Sequence, residues 1–475
     1  MMNFGEVAVE KSLCHRLTIP RLPRYVLEYL VLRFSAVRKP DESISSEDLM
    51  SYVHAYYPEP EQRDRVLYQI KRKSNFPVLD EFKTLIDLHE ERNLIQIPTL
   101  GVKAIIPPSI LDENPGLFFG MWGLAEVQYI PQKNVSTNLR MTSFKPLSLR
   151  NVSLVGFTKR RRNFQLHEWK NLVIRTMGLD PEAYSEEQKI LLLSRLIPLV
   201  QPNCNLMELS GKGVGKTYFF HNISSRSRVI SGMISPATLF WDLNRDIPGE
   251  ICYHDCLAFD ELRAIYFAAA QKIFAKLKDY MSSGFWERGH KTASSSCSLV
   301  FLSNIEVTNE QPSEELCQAL PLLMRNSAFV DRLHGVIPGW RLPAIKRSDE
   351  FLAKEGQLGL ASHYFQEVLR QMRRITFQAR IDRLVRLTGD LTIRDERAIK
   401  KLAEGMLKIV SPDGNFSSEE LGLAVENAVN LRQIVANWLH RLSPGEFQNK
   451  KLGFEISRGP FDGVSSSFQI TKTTS

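Results

Sequence analysis

The chain has 475 residues, 43% of them apolar and 24% charged, which allows two or three domains with cores of their own and excludes a low-complexity or fibrous chain. The formal net charge of +8 favours an anionic partner or a basic solvated surface. The six cysteines, at 14, 204, 252, 256, 297 and 317, show neither a paired zinc spacing nor a secreted disulfide framework. Cys252 and Cys256 flank His254 but lead into an apolar run, and read as core thiols. No signal peptide is expected, and no apolar run nears the roughly 20 residues of a membrane span. A cytoplasmic protein with no membrane partner is the expectation.

In chain order, residues 1–92 are predicted to form an N-terminal helical module. Pro23 opens a run with apolar residues at helical spacing, Ser45-Ser46-Glu47-Asp48 supplies capping side chains, and a charged helix follows Pro60 through Lys73. Residues 93–165 change character, with short apolar or alternating runs at 93–97, 102–106 and 117–124 punctuated by Gly101, Pro107-Pro108 and Pro115-Gly116. These predict a small β-rich module, barrel or sheet, of a kind that either binds nucleic acid or is purely structural. Lys159-Arg160-Arg161-Arg162 closes it as a solvated linker or a phosphate contact. Residues 166–345 alternate apolar strands with helical stretches, which predicts an α/β core. Residues 346–445 read as a helical lid, and the polar tail at 446–475 is expected to be poorly ordered.

Within the α/β core, Glu208-Leu209-Ser210-Gly211-Lys212-Gly213-Val214-Gly215-Lys216-Thr217 follows an apolar run and precedes a helical stretch. Strand, glycine-rich turn and helix form the layout of a phosphate-binding P-loop. Residues 210–216 would bring bare backbone N–H groups to a nucleoside triphosphate, ATP or GTP. Lys216 would reach the β- and γ-phosphates, and the Thr217 hydroxyl would hold Mg2+. Ser210 departs from the usual pattern, which has Gly there; Gly211 and Gly213 can supply the flexibility instead.

Downstream, Cys256-Leu257-Ala258-Phe259-Asp260-Glu261 is an apolar strand ending in two acids, the Walker B arrangement. Asp260 is the candidate Mg2+ ligand and Glu261 the group that polarises water. The strand at 297–304 ends in Asn304, a candidate for positioning that water. Arg332, in Phe329-Val330-Asp331-Arg332-Leu333, is the candidate finger that a neighbouring subunit delivers to the γ-phosphate. Arg394 could reach the phosphates from the lid, with Arg397 as its competitor. The stretch 282–292 reads as a β-hairpin in which Arg288 and Lys291 are candidates for a nucleic-acid backbone, and Phe285 or Trp286 could pack or stack.

Several phrases carry a specific resemblance: Leu191 to Val200, Glu208-Leu209 before the P-loop, Ala258 to Glu261, Lys278 to Gly284, and Phe329 to Trp340 with its Asp-Arg-Leu-His-Gly-Val-Ile-Pro-Gly-Trp run. Together these resemble the BrxL family, the Lon-like AAA+ proteins of BREX bacteriophage-defence systems, from Pro23 to about Phe447. The resemblance implies an N-terminal module and an AAA+ P-loop core similar to MCM helicases. It also implies rings, hexameric or larger, that bind DNA (double-stranded by expectation) and act with other phage-defence proteins. It makes the 284–298 stretch a presensor hairpin and favours Arg394 over Arg397. In the family a Lon-protease-like domain follows the Pro444-Gly445-Glu446-Phe447 phrase, whereas here fewer than thirty residues do. Ser465, Ser466, Ser467 and Lys472 do not make a credible nucleophile pair, so protease activity is not expected.

The fold expected is α/β, a P-loop AAA+ core with a helical lid behind an N-terminal α+β module. The function expected is an ATPase using ATP and Mg2+, coupling hydrolysis to DNA binding or translocation. A nucleotide-gated DNA clamp with little turnover and an ATP-driven protein unfoldase are the alternatives.

Overall fold

The computed structural model describes residues 2–457 apart from 17–18, 20–21, 38–45, 58–59, 87–91, 119, 132–136, 148–151, 245 and 346–348. It is a mixed α/β structure with two compact units, one of residues 9–152 and 361–367 and the other of the remaining chain.

After a short helix at Lys11–Arg16, the first unit has helices α1 (Arg24–Val37), α2 (Ser46–Tyr56) and α3 (Arg63–Arg72). A five-stranded closed barrel follows: β1 (Phe76–Leu85), β2 (Leu94–Ile97), β3 (Val102–Ile105), β4 (Met121–Tyr129) and β5 (Leu139–Pro146), with α4 (Pro108–Glu113) between β3 and β4. The order around the barrel is β1-β2-β3-β5-β4. Its pairs are antiparallel except β3 with β5, which meet in parallel at Ile105 and Arg140. Val78, Phe82, Ile95, Ile97, Ala104, Ala125, Val127 and Met141 fill the interior. A Cβ at Gly123 would fall 2.2 Å from the Phe144 ring, so the close approach of β4 and β5 requires glycine there.

This barrel corrects the helical expectation for residues 1–92, because β1 lies inside that range. The charged residues Asp80, Glu81 and Lys83 interrupt the apolar pattern of this strand. Asp80 is in fact buried, accepting the backbone N–H groups of Thr99 and Glu81 at 2.8 Å each. Burial raises its pKa. The strand expected at 117–124 also begins later: residues 115–118 form a 3-10 turn, and pairing starts at Met121.

The second unit includes α5 (Leu154–Arg161), α6 (Leu166–Thr176) and α7 (Glu186–Ser194). Its centre is a fully parallel sheet of β6 (Leu206–Ser210), β7 (Ser227–Ile230), β8 (Cys256–Phe259), β11 (Ser298–Asn304) and β12 (Gly335–Pro338), in the order β12-β6-β11-β8-β7. Between β8 and β11 come α9 (Ala270–Ser283), which follows α8 (Lys216–Asn222), and a hairpin of β9 (Phe285–Arg288) with β10 (Lys291–Ser294). The strands read as near-continuous apolar runs because helices cover both faces of a parallel sheet. All of β6 and β8 is buried.

The helical part is α10 (Gln378–Leu384), α11 (Ile393–Val410) and α12 (Ser418–Leu442), with α11 and α12 each opened by a capping box. Between α10 and α11 runs β13 (Val385–Thr388), which pairs antiparallel with β14 (Gly453–Ile456). The expectation of a poorly ordered tail therefore fails for 453–456, whose partner strand lies some 65 residues upstream and was invisible locally. Ser465, Ser466, Ser467 and Lys472 lie outside the described residues.

The basic run at 159–162 closes a helix and is not a solvated linker. Arg161 is buried on the Trp169 ring at 5.3 Å, donates to the Val410 carbonyl at 2.8 Å and pairs with Glu420 at 2.6 Å. Arg162 pairs with Asp413 at 2.8 Å, and Arg160 lies over Phe4. These cations tie α5 to the helical part of the same unit.

Candidate active site

The site grows from the register of three parallel strands. β11 lies between β6 and β8, with Asn304 opposite Ser210 and Phe301 opposite Phe259. Chain direction then puts the turn after β6, the acids after β8 and the end of β11 at one edge of the sheet. Gly213 and Gly215 have φ of +83° and +75°, which L side chains rarely adopt, and this allows the loop to fold back on itself. Lys212 is exposed at its tip, while Val214 is buried beneath it. Gly211 has no such φ, and a Cβ there would make only ordinary contact with Val307.

Lys216 is buried, and its ammonium donates to Asn304 Oδ1 at 2.5 Å and Ser210 Oγ at 3.1 Å. Burial lowers its pKa, against the raising effect of the Glu208 and Asp260 carboxylates. Thr217 donates its hydroxyl proton to Asp260 Oδ2 at 2.7 Å, which joins the P-loop to the acidic strand end. Glu261 is exposed and held at φ +49°, with its N–H on Asp260 Oδ1 at 2.9 Å. A non-glycine residue in that region stores strain of about 1–3 kcal/mol. The structure thus brings two hydrogen-bonded groups side by side, Ser210, Lys216 and Asn304 in one and Thr217, Asp260 and the Glu261 N–H in the other.

These residues fit a triphosphate with Mg2+. Lys216 rests on neutral acceptors, the glycines at 213 and 215 add no side chains of their own to the loop, with Ile345 lying against Gly215, and a carboxylate and a hydroxyl meet at its side. Among the described residues no group of three His, Cys, Asp or Glu is placed to hold a metal. A cation at Thr217 and Asp260 would therefore complete its shell with phosphate oxygens and water, the usual habit of Mg2+.

Two supports were missed by sequence reasoning. Arg195, 2% exposed, forms a two-pronged pair with fully buried Glu208, Nη2 to Oε1 at 2.6 Å and Nε to Oε2 at 3.0 Å. Its Nη2 also donates to the Val214 carbonyl at 3.1 Å, bracing the P-loop from below. The signal was a glutamate inside an otherwise apolar central strand, which must find a cation. The second support is Gly339, where a Cβ would sit 2.7 Å from the Ser210 Cβ. Ser210 therefore occupies room that Gly339 leaves open.

The arginines fall elsewhere. β12 runs parallel to β6 with Gly335 opposite Leu206 and Pro338 opposite Leu209. Arg332 precedes β12, and Asn205, which precedes β6, accepts the His334 N–H at 2.8 Å. Arg332 is thus at the starting edge of the sheet, a strand length (about 16 Å at 3.3 Å per residue) from the P-loop edge. Arg332 Nε donates to Ser282 Oγ at 2.7 Å and Nη1 to the Ala328 carbonyl at 2.5 Å. Arg394 is half exposed and ion-paired with Asp331, close enough to Arg332 to lower its pKa further after burial. The start of α11 thus packs at the Arg332 end, so any phosphate that Arg394 reaches lies at that edge of the sheet. Arg397 is exposed one turn further along α11.

The expected hairpin is present, turning at Gly289 with φ +61°. Phe285 is 63% exposed, whereas Trp286 is buried against Phe240 and Trp241. Arg288 is half-buried and its Nη1 lacks a hydrogen-bond partner. Lys291 pairs with Asp246 at 2.6 Å and lies 5.0 Å over the Trp241 ring, so the structure gives it intramolecular partners.

Residues 139–453 match the family described as Lon-like protease BrxL-like, ATPase domain. The chain belongs to the BrxL family. Residues 2–129 match a second BrxL description, the N-terminal part of the BREX system Lon protease-like protein. Two curated BrxL proteins, each named Lon-like protease BrxL, are similar along nearly the whole chain. The one from Escherichia coli O9:H4 (strain HS) is 29% identical over 455 residues, 94% of this chain and 65% of the relative. The one from Bacillus cereus (strain H3081.97) is 28% identical over 465 residues, 95% of this chain and 68% of the relative. The chain thus spans about two thirds of the length of these BrxL relatives. The residue group around Lys216 lies within the stretch matched to the BrxL ATPase domain.

Proposed function

We propose that the chain is a ring-forming AAA+ ATPase of bacteriophage defence that couples ATP binding and hydrolysis to binding or translocating double-stranded DNA, in the cytoplasm and with other defence proteins. The observation that carries the reading is the split between the two sheet edges. Lys216, Thr217, Asp260, Glu261 and Asn304 gather at one edge, and Arg332 with Arg394 at the other. A second copy, packed head to tail, brings the arginine edge of one subunit to the P-loop edge of the next, and such contacts close into rings, hexameric or larger.

In this reading the loop N–H groups of 211–216 and the Lys216 ammonium bind the phosphates. Mg2+, held by Thr217 and Asp260, would neutralise charge on the β- and γ-phosphates. Glu261 orients and takes the proton of the attacking water, and Asn304 fixes that water's place. The water oxygen bonds to the γ-phosphorus as the bond to the bridging oxygen breaks, releasing ADP and phosphate. Arg332 and Arg394 of the neighbour offset the developing charge, an effect on the order of 10³ or more in rate.

DNA contact is assigned to the 285–294 hairpin. Phe285 offers an exposed ring, Arg288 an incompletely bonded guanidinium, and Lys291 an ammonium held by an exposed pair that a phosphate can displace. The five-stranded barrel is a second candidate surface, since barrels of this size commonly host oligonucleotides. Peptide hydrolysis is not part of the proposal.

Steady-state ATPase of wild type and Glu261→Gln, with and without double-stranded DNA, tests it. Glu261→Gln should bind ATP and lose turnover, and DNA should raise the wild-type rate. Unchanged turnover in the variant overturns the site assignment. DNA binding without stimulation replaces coupling with a nucleotide-gated clamp.

A further inference from the structure

The two carboxylate oxygens of Asp331 face different cations. Oδ2 takes the Arg394 guanidinium, and Oδ1 takes Arg432 Nη2 at 3.2 Å. Arg432, in the middle of α12 and 1% exposed, turns Nε onto Asp395 Oδ1 at 2.8 Å. Its Nη1 donates to the carbonyls of Asp331, at 3.3 Å, and Leu333. The other oxygen of Asp395 receives Lys450 Nζ at 2.5 Å, together with the N–H and hydroxyl of Thr392. The residue after Arg432 grips the same segment: Gln433 Nε2 donates to the Lys450 carbonyl and Gln433 Oε1 accepts from the Leu452 N–H, both at 2.8 Å. Directly beyond, β14 joins β13.

A line of alternating charge thus runs from Arg394 through Asp331, Arg432 and Asp395 to Lys450. Its three inner members are at most 9% exposed. In that low-dielectric interior each charge is placed by the next, because displacing one leaves its neighbour buried and unpaired. The line starts at the arginine edge and ends on the segment that carries β14.

We propose that Asp331, Arg432, Asp395 and Lys450 are positioning residues that set the Arg332–Arg394 pair for the neighbouring subunit's nucleotide, so that the seating of residues 449–456 controls turnover in the adjoining site. The inference rests on the reading that this pair serves a second copy. It makes strand β14 of one subunit a regulator of its neighbour's hydrolysis and not of its own.

Lys450 is the accessible test, being 10% exposed. In the full chain, Lys450→Met should lower kcat roughly 3- to 30-fold and leave KM for ATP within about twofold, with Lys450→Arg recovering most of the rate. Mixing separates the sites. Glu261→Gln subunits keep an intact arginine edge and should restore turnover at the P-loops of Lys450→Met subunits, whereas Arg332→Ala subunits should not. If Lys450→Met fails to fold, Gln433→Leu, which unclamps 450–452 without removing a charge, should show the same pattern. Wild-type kcat in both variants, or equal rescue by Arg332→Ala, overturns the relay. A mixture of Arg332→Ala with Glu261→Gln is the control for the underlying reading: restored turnover upholds it, and no restoration brings down both.

Discussion

The Arg195–Glu208 pair makes a prediction in which fold and site respond differently. Arg195→Met leaves the Glu208 carboxylate fully buried inside β6 without its cation. Breaking one side of such a pair destabilises by about 3–5 kcal/mol, while replacing both members by apolar residues of similar volume is commonly neutral or stabilising. Arg195→Met should therefore unfold at clearly lower urea, and Arg195→Met with Glu208→Leu should recover most of that loss. Nucleotide affinity should not recover with it. Both variants lack the 3.1 Å bond from Arg195 to the Val214 carbonyl, a charge-assisted contact of about 1.5–3 kcal/mol. The effect through Lys216 is small in the double variant, because Glu208 raises the Lys216 pKa and Arg195 lowers it. If the brace holds the loop in its binding shape, Kd for a fluorescent ATP analogue should rise at least about tenfold in the double variant. Binding within about twofold of wild type, in a double variant of wild-type stability, would refute the brace.

Three further outcomes are expected. Gly339→Ala puts a Cβ 2.7 Å from that of Ser210 and should destabilise by about 1–3 kcal/mol, with Ser210→Gly relieving part of it in a thermal-melt comparison. Asn304→Ala removes the nearest neutral acceptor of Lys216, so it should lower kcat without weakening nucleotide binding, and a large rise in Kd would contradict the assigned role. Asp395 has a pKa lowered to about 2, with burial opposing and Arg432 and then Lys450 driving the fall. Its contribution, about 2 kcal/mol, is present in full above the unfolded value near 4 and is lost as pH falls towards 2, so the stability gap between wild type and Asp395→Asn should narrow over that window.

What could be read from the sequence was what local spacing encodes. The glycine-rich turn, the strand ending at Asp260-Glu261 and the hairpin at 285–294 each announce themselves within a dozen residues. Asn304 was legible because a polar residue closes an apolar run. The barrel was legible only from β2 onward, since β1 hides behind Asp80, whose partners are backbone groups at 81 and 99. The basic run at 159–162 looked solvated because its acids, Asp413 and Glu420, are about 250 residues away. Arg394 could be linked to the phosphates but not to an edge, because helix position alone does not say which edge of the sheet a helix starts from. The β12 register and the Asp331 pair decide that.

The geometry also says how binding and hydrolysis can be linked at the P-loop edge. In the structure Lys216 is engaged by Asn304 and Ser210, and Thr217 by Asp260, so the groups that would meet a nucleotide already satisfy one another. Binding then exchanges hydrogen bonds instead of adding them. An incoming phosphate that draws the Lys216 ammonium away would release the Asn304 amide, and Thr217 and Asp260 would part to hold Mg2+, turning the carboxylate that holds the Glu261 N–H. Both residues assigned to the attacking water would thus be among those whose partners change when the triphosphate arrives. Under the proposed function such a site would be poised for hydrolysis by its substrate, and the neighbour's arginines would add the remaining charge once the second edge is in place.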